Sequence, residues 1–479
     1  MAPPTLPHIV LIVMDSASAM RLSAYGHHRD TSPGLRRLAS QGVLYRHCFA
    51  PAIWTIPSHV SLFTGLYPGE HGCNYGHSVL PPDFYTLPEI LREAGYRTVA
   101  ISSNLAISPP FRFNRGFDEY YGMDDFFNSP PYYATQTAIK AHHRRSKSEI
   151  SRLIYVFKKS MEDQNYLYPF HNLYNRFYKK YVSNVIRSSS YATERTLTTF
   201  KKIFTNHKET PLFLFINFME THYNYNPPAR YNDIIKISRW QKRKISRLNW
   251  KDFYLRNGFS QEETETLRLL YEQEIAYLDD RLAHLWDTLA ALEVLNHTIL
   301  IITADHGECL GEHHLWGHEF GVYNELIHIP LIIKYPPAMG KSGECRRLVQ
   351  LNDIYATLAE VTDSAFPVPE SSWSLFGPPR DYAWCDLSVL PFKPEYFQRR
   401  DPGFVPWETM LPCWAVIDAD LRKLIRWADG RRELYDLKTD YAEERNLAAD
   451  PAYRQVAAAL EQRLLDFLQM ERDPGGTAS

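Results

Sequence analysis

The chain has 479 residues, 44% of them hydrophobic, and a formal net charge of -2. That is enough apolar material for a large core divided into two to four units, and the near-neutral balance excludes a global attraction to nucleic acid. The six cysteines, Cys48, Cys73, Cys309, Cys345, Cys385 and Cys413, lack metal-type spacing and read as reduced thiols.

The first seven residues have neither a basic n-region nor an apolar h-region. No later stretch reaches the roughly 18 apolar residues of a membrane span. A cytoplasmic protein with no membrane span is therefore expected. The first element, Ile9 to Asp15, is an apolar run that ends in a carboxylate, the pattern of a buried parallel strand. Thr55 follows in Ala52-Ile-Trp-Thr-Ile-Pro-Ser-His59, a helix is predicted over 88–94, and Asn74 and Asn104 fall in loops.

Residues 125–260 read as an insertion into the main domain. From Thr135 to Val182 it carries ten Lys or Arg against three acidic residues, interleaved with tyrosines and phenylalanines. A helical cap with solvated charges is preferred there over a nucleic-acid or membrane surface, because no nucleic-acid motif accompanies the charge. A second basic patch, Lys236 to Lys244, has the character of a lid. Within the same span, Leu212–Phe218 is strand-like and leads through His222 to a proline-rich loop.

A long helix is predicted over 261–293, with Ser260 as N-cap and Glu263 completing a capping box. Asp280-Arg-Leu-Ala-His284 lies inside it and reads as helix surface, so a single metal is expected. The run Thr298-Ile-Leu-Ile-Ile-Thr-Ala-Asp-His-Gly307 reads as a second buried strand that delivers Asp305 and His306 at its end. His313 and His314 are adjacent; on an extended segment they would face opposite ways, so at most one could reach a site. His318 sits in a glycine-flanked turn after Trp316. The catalytic domain is assigned to 7–340 and a C-terminal subdomain to 341–475, with a β-hairpin or meander around Trp414 and Arg422 turning at Ala428–Gly430, and a closing helix over 451–470.

Open α/β sheets place their sites beyond the carboxyl ends of the strands. Asp15, Thr55, Asp305 and His306 would there offer three oxygens and an imidazole nitrogen to one divalent cation, Zn2+ or Mn2+ first, with Ca2+ or Mg2+ also suited. A threonine hydroxyl is a poor nucleophile until a cation lowers its pKa. Thr55 is accordingly the expected covalent nucleophile.

These pieces, together with Thr55-Ile-Pro-Ser-His-Val-Ser-Leu-Phe-Thr-Gly-Leu-Tyr-Pro68, His71-Gly72, Gly116-Phe-Asp-Glu119, Thr303-Ala-Asp-His-Gly-Glu308, Leu315-Trp-Gly-His318, Asn352-Asp-Ile-Tyr355 and Glu433-Leu-Tyr-Asp-Leu437, resemble the sulfatase family of the alkaline phosphatase superfamily. The resemblance implies an α/β fold: an alkaline-phosphatase-like three-layer sandwich around a mostly parallel central sheet, with a smaller C-terminal subdomain of antiparallel sheet and helix. It also implies substrate-facing roles for His222 and His318 as catalytic groups and for His59, Asn74 and Asn104 as contacts to a small-molecule anionic ester.

The departures from the family pattern are chemical. Type I sulfatases carry Cys-x-Pro-x-Arg where this chain has Thr55, Pro57 and His59, so no formylglycine can form. Asp15-Ser16 stands for the family's paired aspartates, Asn104 and Ala106 for a lysine and a histidine, and His318 for a second lysine. A formylglycine hydrate expels sulfate by collapsing to the aldehyde, whereas a threonine adduct must be attacked at its central atom, which phosphorus tolerates better than sulfur. A phosphodiester or phosphonate monoester hydrolase or transferase is the expectation. The alternatives are a sulfate-ester enzyme independent of formylglycine and an inactive binding protein of the same fold.

Overall fold

A computed structural model describes residues 6–122, 190–233 and 250–472, with positions 237, 238, 240, 241, 245 and 248 between the last two. The basic aromatic stretch 135–182 and most of the 235–247 patch lie outside the described residues.

The central sheet is built from β1 (His8–Met14), β2 (Val43–Phe49), β3 (Arg97–Ser102), β4 (Glu119–Tyr121), β5 (Leu212–Phe218) and β6 (Thr298–Thr303). After a small two-stranded ribbon, β7 (Cys309–Leu310) with β8 (Trp316–Gly317), the chain returns to it with β9 (His328–Lys334) and β10 (Gly343–Gln350). The strand order is β10-β2-β9-β6-β1-β5-β3-β4. Every pairing is parallel except the two made by β9. All residues of β1, β5 and β6 are buried, which is why these segments are apolar without alternation.

Helices α1 (Pro33–Ala39) and α4 (Ser190–His207) pack against α5 (Gln261–Ala291), while α2 (Thr55–Thr64), α3 (Leu87–Glu93) and α6 (Asp353–Val361) pack against one another. The capping box of α5 forms as expected from Ser260 and Glu263. On the same helix Asp279 accepts hydrogen bonds from the backbone N–H of Gly34 and Leu35, each 2.7 Å, and so caps α1. Pro57 lies in the first turn of α2, where its missing N–H leaves no intrahelical bond unmade.

Two domain boundaries differ from the sequence reading. β5 falls inside the span assigned to the insertion yet runs between β1 and β3, and β10 falls inside the span assigned to the C-terminal subdomain yet pairs in parallel with β2. Proximity in sequence to an unusual composition does not decide which sheet a strand joins. The C-terminal sheet itself is β11 (Tyr382–Leu387), β12 (Cys413–Asp418), β13 (Arg422–Trp427) and β14 (Arg432–Asp436), all antiparallel. The turn at 428–430 joins β13 to β14, and helix α7 (Arg454–Arg472) covers β12 and β13 through Leu460 and Leu464. All six cysteines are free. No described helix is long and apolar enough to cross a membrane.

Buried neutral histidines give the fold a definite acid response. His71 accepts from the Cys73 N–H at 3.0 Å and lies 3.1 Å from the Ser61 hydroxyl, and burial lowers its pKa from 6.5 to about 3. The unfolded chain therefore binds a proton that the native protein does not, so this contribution is complete above pH 6.5 and is lost as pH falls toward 3. Between pH 6.5 and pH 5 the loss is about 2 kcal/mol. In urea unfolding, His71→Gln should be less stable at neutral pH but should lose less stability over that acid interval than the parent.

Candidate active site

Strand register brings the acidic residues together. β1 and β6 pair with Val13 opposite Thr303, so Asp15 and Asp305, two residues further along each parallel strand, emerge side by side. β5, on the other flank of β1, holds the backbone there through Asp15 N–H to Phe218 O, 2.9 Å. β3 brings Asn104 to the same edge. Thr55, the first residue of α2, places its Oγ1 3.5 Å from His306 Nε2. The four residues singled out from the sequence thus converge at the carboxyl edge of the sheet.

Each is held from behind. Asn104 Nδ2 donates to Asp15 Oδ2 at 2.6 Å, Ser16 Oγ to Asp15 Oδ1 at 2.9 Å, and Thr221 Oγ1 to the Asp15 carbonyl at 2.5 Å. Ser16 has φ 62°, a left-handed conformation that turns its N–H toward Asp305 Oδ1, 3.1 Å away. The Tyr271 hydroxyl fixes that turn, donating to Ser16 O and accepting from Ser18 N–H. His306 Nδ1 lies 2.8 Å from the Gly307 carbonyl, so Nδ1 carries the proton and Nε2 keeps its lone pair. Gly307 is required at its position, since a Cβ there would lie 1.9 Å from Glu325 O.

The donor atoms of Asp15, Asp305 and His306 lie within 4.8 Å of one another, all buried. Burial, and then the charge of Asp15, raises the Asp305 pKa well above the usual carboxylate range, while burial and His318 lower that of His306 well below its ordinary value. Among the described residues Asp305 Oδ2 has no hydrogen-bond partner, although His59 Nδ1 and His306 Nε2 each lie 3.4 Å away. Facing buried carboxylates with an unpaired oxygen are costly unless a cation sits between them, so the residues fit a divalent metal ion. Asn104→Ala would leave Asp15 free to rotate, and the affinity for Zn2+ or Mn2+ measured by calorimetry should fall about 10- to 100-fold.

A row of histidines borders this centre. The ring centroid of His318 is 4.5 Å from that of His306 and 5.2 Å from that of His222. Burial alone would lower the His318 pKa, but the Glu308 carboxylate, 3.1 Å from Nδ1, with Glu319 and Asp15 beyond, raises it to about 10. His222 Nδ1 donates to Tyr223 O at 2.7 Å, leaving Nε2 for other partners.

The remaining expectations are corrected by position. His59, expected to touch the substrate, is fully buried: Nδ1 donates to Thr55 O at 2.9 Å, Nε2 lies 3.3 Å from Asn217 Nδ2, and burial lowers its pKa to about 4. It braces α2 against β5. Asn74 uses its amide oxygen for Gly76 and His77 N–H and its nitrogen for Gly72 O, so its amide serves a turn. Asn104 serves Asp15. His313 and His314 are not extended, having φ of 51° and 56°; His313 stacks on Tyr323 and pairs with Glu325, and His314 is exposed. Neither reaches the metal residues. Asp280 and His284 are exposed on α5, in agreement with the reading of that pair as helix surface.

Several supporting residues were not anticipated. Glu308, Asn217, Thr221 and Tyr271 lay within stretches read from the sequence but carried no assigned role, because their roles depend on contacts between distant segments.

A cluster able to hold a metal ion at the carboxyl edge of a mostly parallel sheet, with a hydroxyl at a helix start beside it and a separate antiparallel C-terminal sheet, accords with the comparisons, which make the chain an ester hydrolase of the alkaline phosphatase superfamily. Within it the chain belongs to the sulfatase family, whose model, described as Sulfatase, matches residues 7–364. Among curated proteins it is 24% identical over 392 residues to an N-acetylglucosamine-6-O-sulfatase of Bacteroides thetaiotaomicron, covering 73% of this chain and 66% of that protein. It is 22% identical to arylsulfatase K of Canis lupus familiaris, covering 97% and 83%. The phosphonate monoester hydrolase of Agrobacterium radiobacter shares the fold, with a TM-score of 0.69 at 20% identity over 97% of this chain and 96% of that one.

Proposed function

We propose that this enzyme cleaves phosphorus esters bearing one negative charge, phosphodiesters or phosphonate monoesters, through Thr55 as covalent nucleophile. The observation that carries this reading is the Thr55 hydroxyl, 3.5 Å from His306 Nε2 beside the buried Asp15–Asp305 pair, where the family resemblance places a formylglycine-forming cysteine. A threonine adduct can be discharged only by a second displacement at its central atom, which favours phosphorus. Charge points to a monoanion: no described lysine or arginine forms an ion pair with Asp15, Asp305 or Glu308, and of the imidazoles beside them only that of His318 is held in the charged form.

Asp15, Asp305, His306 and Thr55 would hold the divalent cation, which supplies positive charge that lowers the pKa of a hydroxyl in contact with it and offsets charge on the reacting ester. Thr55 gives up its hydroxyl proton to water and attacks phosphorus in line, so that the Oγ1–P bond of a threonine ester forms as the bond to the leaving oxygen breaks. His318, kept as imidazolium by Glu308, donates to a non-bridging oxygen as charge builds there. His222, tethered at Nδ1, presents Nε2 to the leaving oxygen; in its doubly protonated form it passes the Nε2 proton to that oxygen as the bond to phosphorus breaks. Attack by water then releases the product, and attack by an acceptor alcohol would make the same centre a transferase.

A screen of metal-loaded enzyme against phenyl methylphosphonate, diphenyl phosphate, phenyl phosphate and phenyl sulfate tests the substrate class. The first two should exceed phenyl phosphate in kcat/KM by about 100-fold or more, a gap of roughly 2.7 kcal/mol in transition-state binding. Phenyl sulfate as the best substrate would replace this reading with a sulfate-ester hydrolase.

A further inference from the structure

We propose that Trp54 and Tyr75 form the subsite for the leaving alcohol and that it takes an uncharged ring with an apolar face, aryl or sugar. This inference rests on the reading of Thr55 as the attacking residue and adds the identity of the group that departs.

Trp54 is the N-cap residue of α2, with extended backbone (φ -148°, ψ 165°), so the main chain fixes it directly beside Thr55. Its indole stacks on Tyr75 with ring centroids 3.7 Å apart and planes 6° from parallel, forming a two-ring platform. Both rings are only partly buried. Tyr75 is held in the turn between Asn74 and His77, closed by backbone hydrogen bonds of 2.9 and 3.0 Å and by the Asn74 side chain. This gives the Asn74 amide its purpose: it fixes the platform and leaves ester contacts to others. The platform thus loses little freedom on binding, as an aromatic contact surface should.

Burial, and then the charges of Glu319 and Glu308, raise the pKa of the Tyr75 hydroxyl well above its ordinary value, so it stays a neutral phenol. Rings with apolar faces stack on such surfaces, whereas a charged leaving group would give up hydration against them.

Calorimetry on metal-loaded Thr55→Ala protein, which holds ligands without the attacking hydroxyl, compares the phenyl, glucos-6-yl, 4-carboxyphenyl and methyl esters of methylphosphonate. The phenyl ester, the glucosyl ester or both should bind about tenfold more tightly than the methyl ester, and which of them does so separates the aryl from the sugar source. Adding Trp54→Leu or Tyr75→Leu should reduce that ratio about five- to tenfold, with Trp54→Phe restoring most of it. The ratio is taken within each protein, so a general loss of stability does not mimic the effect. A ratio unchanged within twofold in both leucine variants, or a 4-carboxyphenyl ester bound as tightly as the phenyl ester, overturns the proposal. Failure of the parent reading shows separately, as Thr55→Ala protein that still turns over the phenyl ester.

Discussion

Thr55→Ala should lower kcat by about 10^4-fold or more on any ester the parent enzyme cleaves, with no covalent adduct detectable by mass spectrometry after a rapid acid quench. Thr55→Ser should retain activity within about tenfold, because it keeps the oxygen and loses only a methyl group. The expectation is large because the substitution removes the attacking atom and a proposed metal ligand together. It is also specific. Thr55 is the first residue of α2, no described hydrogen bond other than the 3.5 Å approach to His306 depends on its hydroxyl, and Ile56, Val60 and Phe63 continue to pack that helix into the core. Melting of the variant should therefore match the parent. Full turnover by Thr55→Ala would remove the nucleophile while leaving the fold and family as they stand.

The largest stability effect is expected far from the chemistry. Lys423 on β13 is fully buried, with Nζ 2.6 Å from Glu443 Oε1 and 3.2 Å from Asn324 Oδ1. Glu443 Oε2 accepts from the Asn324 N–H at 2.6 Å, and Glu325, itself buried, pairs with His313 at 3.3 Å. Lys423→Met keeps much of the side-chain volume but strands Glu443 inside the protein without its cation, at a cost of about 3–5 kcal/mol in urea unfolding. The double variant Lys423→Met/Glu443→Leu should recover much of that, since removing both partners leaves no buried charge. The effect should extend to the centre, because the Asn324–Ile327 turn closes on Gly307, whose N–H donates to Leu326 O at 2.7 Å next to His306. A single variant within 1 kcal/mol of the parent would show that the cluster contributes little to holding the C-terminal sheet against the main domain.

Much of the architecture was legible because it depends on local pattern. Seven consecutive apolar or buried positions from His8 to Met14 mark a strand covered on both faces, and the α5 capping box is readable from Ser260 and Glu263 alone. The metal residues were legible for a related reason: two such strands each end in a carboxylate, and parallel neighbours end at the same edge. β11 was not anticipated, since its partners are β12 and, through one bridge, Ala52, far away in the chain.

By itself, then, the order of residues determined the buried strands β1, β5 and β6, the long helix α5, the family resemblance and the choice of Asp15, Thr55, Asp305 and His306 as candidate donors, because each is carried by short-range periodicity or by a side chain's own chemistry. Only the tertiary structure decided that His59 is buried behind Thr55, that Asn104 donates to Asp15, that Glu308 lies against His318, and that Asn74 closes the turn carrying Tyr75, which stacks on Trp54. Those roles depend on burial and on which distant atoms come within about 3 Å, and both are properties of the packed chain, invisible in any local stretch of it.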